Sequence, residues 1–195
     1  GLGDVYKRQT ETKQIVLATS NNPNDRPLAD YVRGLGFTVF LGSENDVLDR
    51  YYQAAELHNP DVVVRITGDC PLIDPDVVDD VVKKFKTSDA DYVSNISPPT
   101  YPDGLDVEVF SFKALERSWR EASKPHEREH VTPYMRESGH FVTGNFTNKE
   151  NCSDERWTVD EPEDYEVVKA IFYHFKPNIH FDWKQVMVLK ESKPN

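Results

Sequence analysis

The sequence predicts an α/β protein whose doubly wound, mostly parallel sheet is covered by helices on both faces, which gives three layers. The first observation behind this prediction is the regular alternation of short apolar runs with helical segments along residues 15–95. The second is the run at 62–66, whose β-branched side chains suit a central strand buried on both faces. The 195 residues suffice for one sizeable core, and we predict a single domain over 15–195.

The first half of the chain supplies the predicted parallel strands and the helices between them. Apolar runs predict strands at 15–19, 38–41, 62–66 and 92–95, and helical periodicity predicts helices at 27–35, 45–57 and 75–86. Gly34 and Gly36 mark the end of the first helix, because glycine accepts the backbone conformation that closes a helix. Asp74 and Pro75 start the third, since aspartate caps a helix and proline suits its first turn.

A proline-rich loop at 97–104 separates this pattern from a less regular second half, and long loops of this kind often carry function. Strands are predicted at 107–110, 141–146 and 156–160, and helices at 112–121, 127–137, 161–175 and 183–191. Acidic residues open the 161–175 helix, where the helix dipole favours negative charge.

The composition excludes several classes of function. A formal net charge of −11 and a pI near 5.0 argue against binding to nucleic acid or to an anionic membrane. Cys70 and Cys152 are too few for a disulfide framework or a zinc site, and they suit reduced thiols. No stretch of sequence is apolar enough to span a bilayer and no secretory signal is visible. We therefore predict a cytoplasmic protein.

Two acidic residues end predicted strands, Asp69 after the 62–66 run and Asp160 at the end of 156–160. Gly68 lets the chain turn at the carboxyl edge of the sheet, which is where open α/β folds bind ligands. Two carboxylates that meet there would hold a hard cation such as Mg²⁺ and leave positions for phosphate oxygens. Alternatively, each acid only caps the helix that follows it, and the spacing alone does not bring the two together.

Several segments, in the same order, resemble one family. Residues 65–73, Arg-Ile-Thr-Gly-Asp-Cys-Pro-Leu-Ile, resemble the Gly-Asp-x-Pro signature of sugar-activating cytidylyltransferases. Asn21-Asn22 and the blocks 41–52, 101–110, 127–134 and 157–165 are similar to the spore-coat polysaccharide biosynthesis branch, which is grouped with the acylneuraminate cytidylyltransferases. The resemblance runs from residue 15 to the end of the chain and implies the nucleotide-diphospho-sugar transferase fold, which is GT-A-like.

The resemblance also implies a reaction and a set of site residues. A hydroxyl of an acidic sugar would attack the α-phosphorus of CTP, giving a CMP-sugar for surface polysaccharides and pyrophosphate, with Mg²⁺ as cofactor. Asp69 and Asp160 would be the catalytic metal ligands. The residues expected along the nucleotide are Asn21, Asn22, Ser43, Asp46, Arg65 and Gly68. Those expected at the sugar are Tyr101, Asp103, Asp106, Glu108, Arg128, Glu129 and His130.

Simpler roles stay open for some of these residues. Asn21-Asn22 and Asp103-Gly104 also suit plain turns. His130 lies in a predicted amphipathic helix and also suits packing or capping. Arg128 suits a carboxylate or phosphate if it points into the crevice.

The resemblance fails at the N-terminus. The family has a basic, glycine-containing phosphate loop before the equivalent of strand 15–19, and residues 1–14 contain nothing like it. We therefore expect 1–14 to be a leader foreign to the family, and catalysis by this chain to be impaired for want of the loop's cations. The absent strand would leave an open slot between strands 15–19 and 62–66, a foreign segment in that slot, or direct pairing of the two.

Two other functions fit parts of the sequence. A glycosyltransferase of related fold would place an Asp-x-Asp pair at the end of a strand, and 74–76 and 89–91 spell that pattern. However, the first opens a helix and the second precedes a strand. The chain could also be a non-catalytic module that assembles through 107–146, the segment where we predict a homodimer contact.

Overall fold

The structure is a computed structural model that describes residue 11 and residues 14–192. In the first half, strands β1 (Val16–Ser20), β2 (Thr38–Gly42), β3 (Val62–Arg65) and β4 (Tyr92–Ser94) alternate with helices α1 (Arg26–Gly34), α2 (Val47–Glu56) and α3 (Pro75–Lys86). The second half contains β5 (Glu108–Ser111), α4 (Phe112–Glu121), α5 (Pro125–His130), α6 (Pro133–Glu137), β6 (Thr143–Asn145), α7 (Pro162–Phe175) and α8 (Trp183–Ser192). The predicted alternation of strand and helix is confirmed.

The strands form two hydrogen-bonded groups. β1 and β2 pair in parallel, and the larger sheet has the order β3-β5-β4-β6. β5 runs antiparallel to both β3 and β4, while β6 runs parallel to β4. β3, β4 and β6 therefore share one direction, and a single reversed strand lies between them, as happens in many α/β sheets.

No hydrogen-bonded pairing joins β1 to β3 in the described part of the chain. Direct pairing, one of the three outcomes expected at this position, is thus not observed. The other two expected outcomes, an open slot or a foreign segment filling it, concern the predicted leader. Residues 1–10, 12 and 13 of that leader lie outside the described residues.

Helices cover both faces of the larger sheet, as predicted. On one face, α3, α7 and α8 pack through Val78, Val168 and Val186 against Val109 of β5. On the other face, α2 and α4 pack through Leu48 and Leu115 against Tyr92 of β4 and Phe110 of β5. Because neighbouring residues of β5 point to opposite faces, this four-residue strand contributes to both cores.

The predicted helix over 127–137 is wrong in one respect, because it is two helices. Val131 separates α5 from α6 with a φ of 71° and a ψ of −54°, and the N–H of Thr132 donates to the carbonyl of His130 at 2.8 Å. These are the features of a γ-turn with positive φ, a rare and strained conformation. Pro133 then begins α6, and a proline inside a predicted helix is itself a signal that the preceding helix ends.

The predicted strand over 156–160 is also corrected. The segment is extended, but it has only an isolated bridge between Asp103 and Arg156 where a ladder was expected. Its partner is the proline-rich loop. Gly104 allows the close approach with a φ of +106°, and a Cβ at this position would lie 2.8 Å from the carbonyl carbon of Trp157.

Half of the large apolar side chains exposed in the described part of the chain lie on α1 and α7. They include Leu28 and Tyr31 of α1 and Tyr165 and Tyr173 of α7, whereas Val142 is the one large apolar side chain exposed by the described segment 107–146. The homodimer through 107–146 stays a prediction. None of the helices described is both long and apolar enough to cross a membrane.

Leu115 tests the second core. It is fully buried in α4, so Leu115→Ala should lower the free energy of unfolding by about 2–5 kcal/mol through lost burial and a new cavity. Leu57→Ala is the matched control, since Leu57 is 71% exposed and should change that free energy by less than about 0.5 kcal/mol. Urea unfolding measures both. Equal effects would contradict this packing.

Candidate active site

The two strand-end acids lie at one place in the fold. The chain leaves β3 and turns through Gly68 to Asp69, whose backbone carbonyl accepts the N–H of Val159 at 2.9 Å. Asp160 is the next residue, so both acids stand at the carboxyl edge of the larger sheet. Asp69 is half-buried and forms no ion pair with a described residue, and Asp160 is exposed. The structure thus brings together the pair that spacing alone left apart.

More negative charge surrounds Asp69. Burial, together with the negative charges of Asp103, Glu108 and Asp69, raises the pKa of Asp106 to about 6 against the opposing effect of Arg65. Asp106, predicted at the sugar, therefore lies within electrostatic reach of Asp69, a predicted metal ligand, and of the other two acids. Such a surplus of carboxylates at a ligand-binding edge favours a cation there.

Arg156 joins the proline-rich loop to the Asp160 segment. One terminal nitrogen, Nη2, donates to Asp160 at 2.6 Å and to Asp164 at 3.3 Å, and Nη1 donates to Asp103 at 3.4 Å. The backbone repeats the link, because the N–H of Trp157 donates to the carbonyl of Asp103 at 2.7 Å. Sequence reasoning missed Arg156. The available signal was its i, i+4 spacing from Asp160.

Glu108, predicted at the sugar, has its carboxylate engaged by the protein. It is 2% exposed and accepts hydrogen bonds from Tyr92 at 2.7 Å, from Thr132 at 2.6 Å and from Arg65. Arg65, predicted at the nucleotide, forms an ion pair with Glu108 and also lies over the ring of Tyr51. The contact of these two residues with a ligand stays a prediction, while the structure shows that they cross-link β3 and β5.

Asp46, predicted at the nucleotide, and Arg128, predicted at the sugar, form a second ion pair. Asp46 caps α2 by accepting the N–H of Asp49 at 2.9 Å, and its carboxylate also receives three contacts from Arg128 at 2.6–3.0 Å. Arg128 further donates to the carbonyl of Trp119 at 2.6 Å. The guanidinium expected in the crevice therefore ties α5 to the start of α2.

The tips of β1 and β2 hold the other residues expected along the nucleotide. The N–H of Asn21 donates to the carbonyl of Gly42 at 2.8 Å, which fixes one tip against the other. Asn22 caps a short 3₁₀ turn by accepting the N–H of Asn24, and it donates to Glu44 at 2.9 Å. Ser43 accepts the N–H of Asp46 at 3.0 Å. These are turn and cap contacts of the kind that the simpler interpretation expects.

The remaining residues expected at the sugar differ in exposure. Tyr101 is buried, with its ring 6.0 Å from that of Phe146 and 5.6 Å from that of Trp183, so it belongs to the core. Glu129 and His130 are exposed at the end of α5. His130 is thus not packed, and its carbonyl belongs to the γ-turn.

A cavity of about 590 Å³ opens beside Asp69. Its wall is largely apolar, from Pro71, Val159 and Phe172, and α7 adds Lys169 and Lys176. Lys169 is bonded to Glu166 at 3.0 Å, whereas Lys176 forms no ion pair with a described residue and lies over the ring of Tyr173. Neither lysine was singled out from the sequence.

The donor set fits a hard cation with an incomplete protein shell. No group of three or more histidine, cysteine, aspartate or glutamate side chains in the part of the chain described here is arranged to hold a metal ion. Asp69 and Asp160 would supply two carboxylates, and water and phosphate oxygens would supply the rest, as is usual for Mg²⁺ on a nucleotide.

Comparison with known proteins decides the family. The family model described as cytidylyltransferase matches residues 5–193. This chain belongs to the cytidylyltransferase family. Members of this family are nucleotidyltransferases.

Three curated relatives of this cytidylyltransferase-family chain cover different shares of it. An uncharacterized protein of Methanocaldococcus jannaschii is 35% identical over 191 residues, which is 96% of this chain and 77% of that protein. The spore coat polysaccharide biosynthesis protein SpsF of Bacillus subtilis is 32% identical over 84% of this chain and 69% of its own length. The mitochondrial 3-deoxy-manno-octulosonate cytidylyltransferase of Arabidopsis thaliana is 37% identical over 51% of this chain and 35% of its own length.

Solved structures confirm the fold. A cytidylyltransferase from Leptospira borgpetersenii superposes with a TM-score of 0.92 at 30% identity, covering 98% of this chain and 81% of that one. A CMP:2-keto-3-deoxy-manno-octonic acid synthetase complexed with CTP gives a TM-score of 0.66 at 12% identity, covering 89% of this chain and 86% of that one. At that identity the second likeness concerns the fold alone, and it supports the predicted nucleotide-diphospho-sugar transferase architecture.

The buried pair in this cytidylyltransferase can be tested by stability. Glu108→Gln should lower the free energy of unfolding by about 3–5 kcal/mol, because Arg65 would keep a buried charge without its carboxylate. Glu116→Gln is the matched control, since its ion pair with Arg120 is solvent-exposed and should matter by less than about 1 kcal/mol. Chemical unfolding at pH 7 measures both. A Glu108→Gln protein as stable as the control would show that the pair is not formed.

Asp106 should make stability depend on pH. Its folded pKa of about 6 exceeds the ordinary 3.8, so its contribution is fully favourable below about pH 4 and is lost as pH rises through 6. Asp106→Asn should therefore raise the melting temperature by a few degrees at pH 7.5 and by much less at pH 4.5. Thermal unfolding across that range measures the difference from wild type. Asp80→Asn, an exposed control, should show no such trend, and a trend of opposite sign would contradict the burial of Asp106.

Proposed function

We propose that the protein transfers a cytidylyl group from CTP to a hydroxyl of an acidic sugar, releasing pyrophosphate and a CMP-sugar used for surface polysaccharide synthesis. The observation that carries this proposal is the hydrogen bond from Val159 to Asp69, which places Asp69 and Asp160 at one sheet edge in a chain of the cytidylyltransferase family. The two acids would hold Mg²⁺ with CTP.

The chemistry of the edge supports this reaction. A Mg²⁺ bound there would neutralise phosphate charge as pyrophosphate departs. The protein's own contribution is placement, since Asp69 follows β3, a half-buried strand at the edge of the larger sheet, and Asp160 is held next to it by backbone contacts. Asn21, Asn22 and Ser43 stand on the β1–β2 side for the nucleotide, and Gly68 leaves the backbone open to it. Asp46 and Arg65 would act there through the helix start and strand that they brace.

The sugar would lie on the side of the proline-rich loop. Asp103 of this loop and Asp106 just after it interact electrostatically, Asp106 also feels the charge of Asp69, and Glu129 and His130 are exposed at the end of α5. Glu108, Arg128 and Tyr101 would shape the pocket from behind. The Arabidopsis relative is named for 3-deoxy-manno-octulosonate, which suits an acidic sugar, and the Bacillus relative is named for spore coat polysaccharide, which suits a surface polymer.

The glycosyltransferase alternative is not favoured by the positions of the two Asp-x-Asp segments. Asp74 is 3% exposed and caps α3 through the N–H groups of Asp76 and Val77, as the sequence predicted. Asp91 pairs with the backbone of Val142 at the amino end of β4. Since β3 and β4 run in the same direction, that is the edge opposite to Asp69.

Substitution of the two acids tests the proposal. Asp69→Asn and Asp160→Asn should each lower kcat/KM for pyrophosphate release from CTP and an acidic sugar by about 10²–10³-fold, because each removes a carboxylate from the cation. Asp80→Asn on α3, paired only with Lys83 at the surface, is the matched control and should keep wild-type activity. CMP-sugar formed without dependence on Asp69, or sugar transfer with no pyrophosphate, would overturn the proposal.

A further inference from the structure

The side chain of Asp160 is already occupied by a cation of the protein itself. Arg156 holds it at 2.6 Å, the shortest of the three contacts that the guanidinium makes with Asp103, Asp160 and Asp164. No other described cation pairs with any of these three acids. Arg156 contacts Oδ2 of Asp160, so a divalent ion that takes Asp160 as a ligand competes with Arg156 for the negative charge of one carboxylate.

We infer that Arg156 competes with the divalent cation for Asp160, and that cation binding frees the guanidinium to receive the carboxylate of the acidic sugar. The inference rests on the proposed function and adds a positioning residue that also reads the charge of the sugar. It predicts that cation and sugar strengthen each other's binding, because each favours the same position of one side chain.

The competition is balanced in favour of the ion. Arg156 and Asp160 are each about half exposed, at 49% and 50%, so water and salt screen their attraction. Three carboxylates share one guanidinium, so two negative charges stay uncompensated. A divalent ion would gain both Asp69 and Asp160, whereas Arg156 gives up one contact of three.

Released from Asp160, the guanidinium stays at the mouth of the site. Its Nη1 keeps Asp103 on the proline-rich loop and its Nη2 keeps only the longer contact with Asp164. A planar guanidinium with a freed donor suits a carboxylate, which it binds through two parallel hydrogen bonds. The position is right for the sugar, because Asp103 belongs to the loop proposed to line its pocket.

Binding of Mn²⁺, followed by electron paramagnetic resonance on the full chain, tests the competition without relying on activity. Arg156→Gln should bind Mn²⁺ about two- to five-fold more tightly than wild type, because a half-exposed competitor is removed. Arg117→Gln is the matched control, since its side chain is 44% exposed and is paired i, i+4 with Glu121 on α4, far from the two acids in the fold. It should bind Mn²⁺ like wild type.

Calorimetry with 3-deoxy-manno-octulosonate as the probe tests the second part of the inference, in which the freed Arg156 binds the carboxylate of the sugar. Saturating Mg²⁺ should strengthen sugar binding several-fold in wild type and in Arg117→Gln, but not in Arg156→Gln, and the methyl ester of the probe should show no strengthening in any of them. Arg156→Lys keeps the positive charge but lacks the planar guanidinium that binds a carboxylate through two parallel hydrogen bonds. It should bind Mn²⁺ within two-fold of wild type and lose most of the strengthening, so a poorly folded Arg156→Gln protein would not end the test.

The outcomes separate the two proposals. If Asp69→Asn or Asp160→Asn binds Mn²⁺ as tightly as wild type, the cation site itself is wrong and the proposed function falls with it. If both weaken Mn²⁺ binding by ten-fold or more, but Arg156→Gln binds Mn²⁺ like wild type or keeps the Mg²⁺-dependent strengthening, the inference about Arg156 alone is overturned.

Discussion

The candidate site depends on one contact between distant parts of the chain, the hydrogen bond from the N–H of Val159 to the carbonyl of Asp69. The turn after β3 and the extended segment before α7 are separated by about ninety positions in sequence. Backbone groups make this contact, so it fixes the path of the chain and leaves both aspartate side chains unconstrained by it. The second attachment, between Asp103 and the 155–157 segment, brings the proline-rich loop to the same edge.

To handle the anionic substrates proposed for it, an acidic chain would be expected to concentrate positive charge locally. The structure instead concentrates carboxylates at this edge and binds its guanidinium groups to them. Arg65 is held by Glu108, Arg128 by Asp46 and Arg156 by Asp160. The buried pair differs from the other two in its consequence. Glu108 and Arg65 are desolvated, so separating them would leave a buried charge unpaired at a large cost in free energy. Arg156 is in contact with water, so it can change partners at a small cost.

The γ-turn at Val131 shows how packing can hold a conformation that local preferences disfavour. A β-branched residue with positive φ is costly, and here its side chain is fully buried while the next residue, Thr132, donates to Glu108. The same buried carboxylate that joins β3 to β5 thus also fixes the junction of α5 and α6. Pro133 signals a break within 127–137, but nothing local signals the positive φ at Val131, because the stabilising contacts come from β5 and from the core.

The sequence by itself determined the elements of the first half, the α/β class, the cap at Asp74 and the acid Asp69 after β3, because these follow from periodicity and from local hydrogen bonding. The segments that resemble sugar-activating cytidylyltransferases added the expected reaction and the expected site residues. Tertiary structure alone decided that β5 is reversed and that Val131 separates the two helices within 127–137. It also decided that Glu108 binds Arg65 and that Asp46 binds Arg128. It also assigned Arg156 to Asp160. The reason is physical: an ionic side chain takes whichever opposite charge the fold brings within about 3 Å, and that distance is not written in the order of the residues.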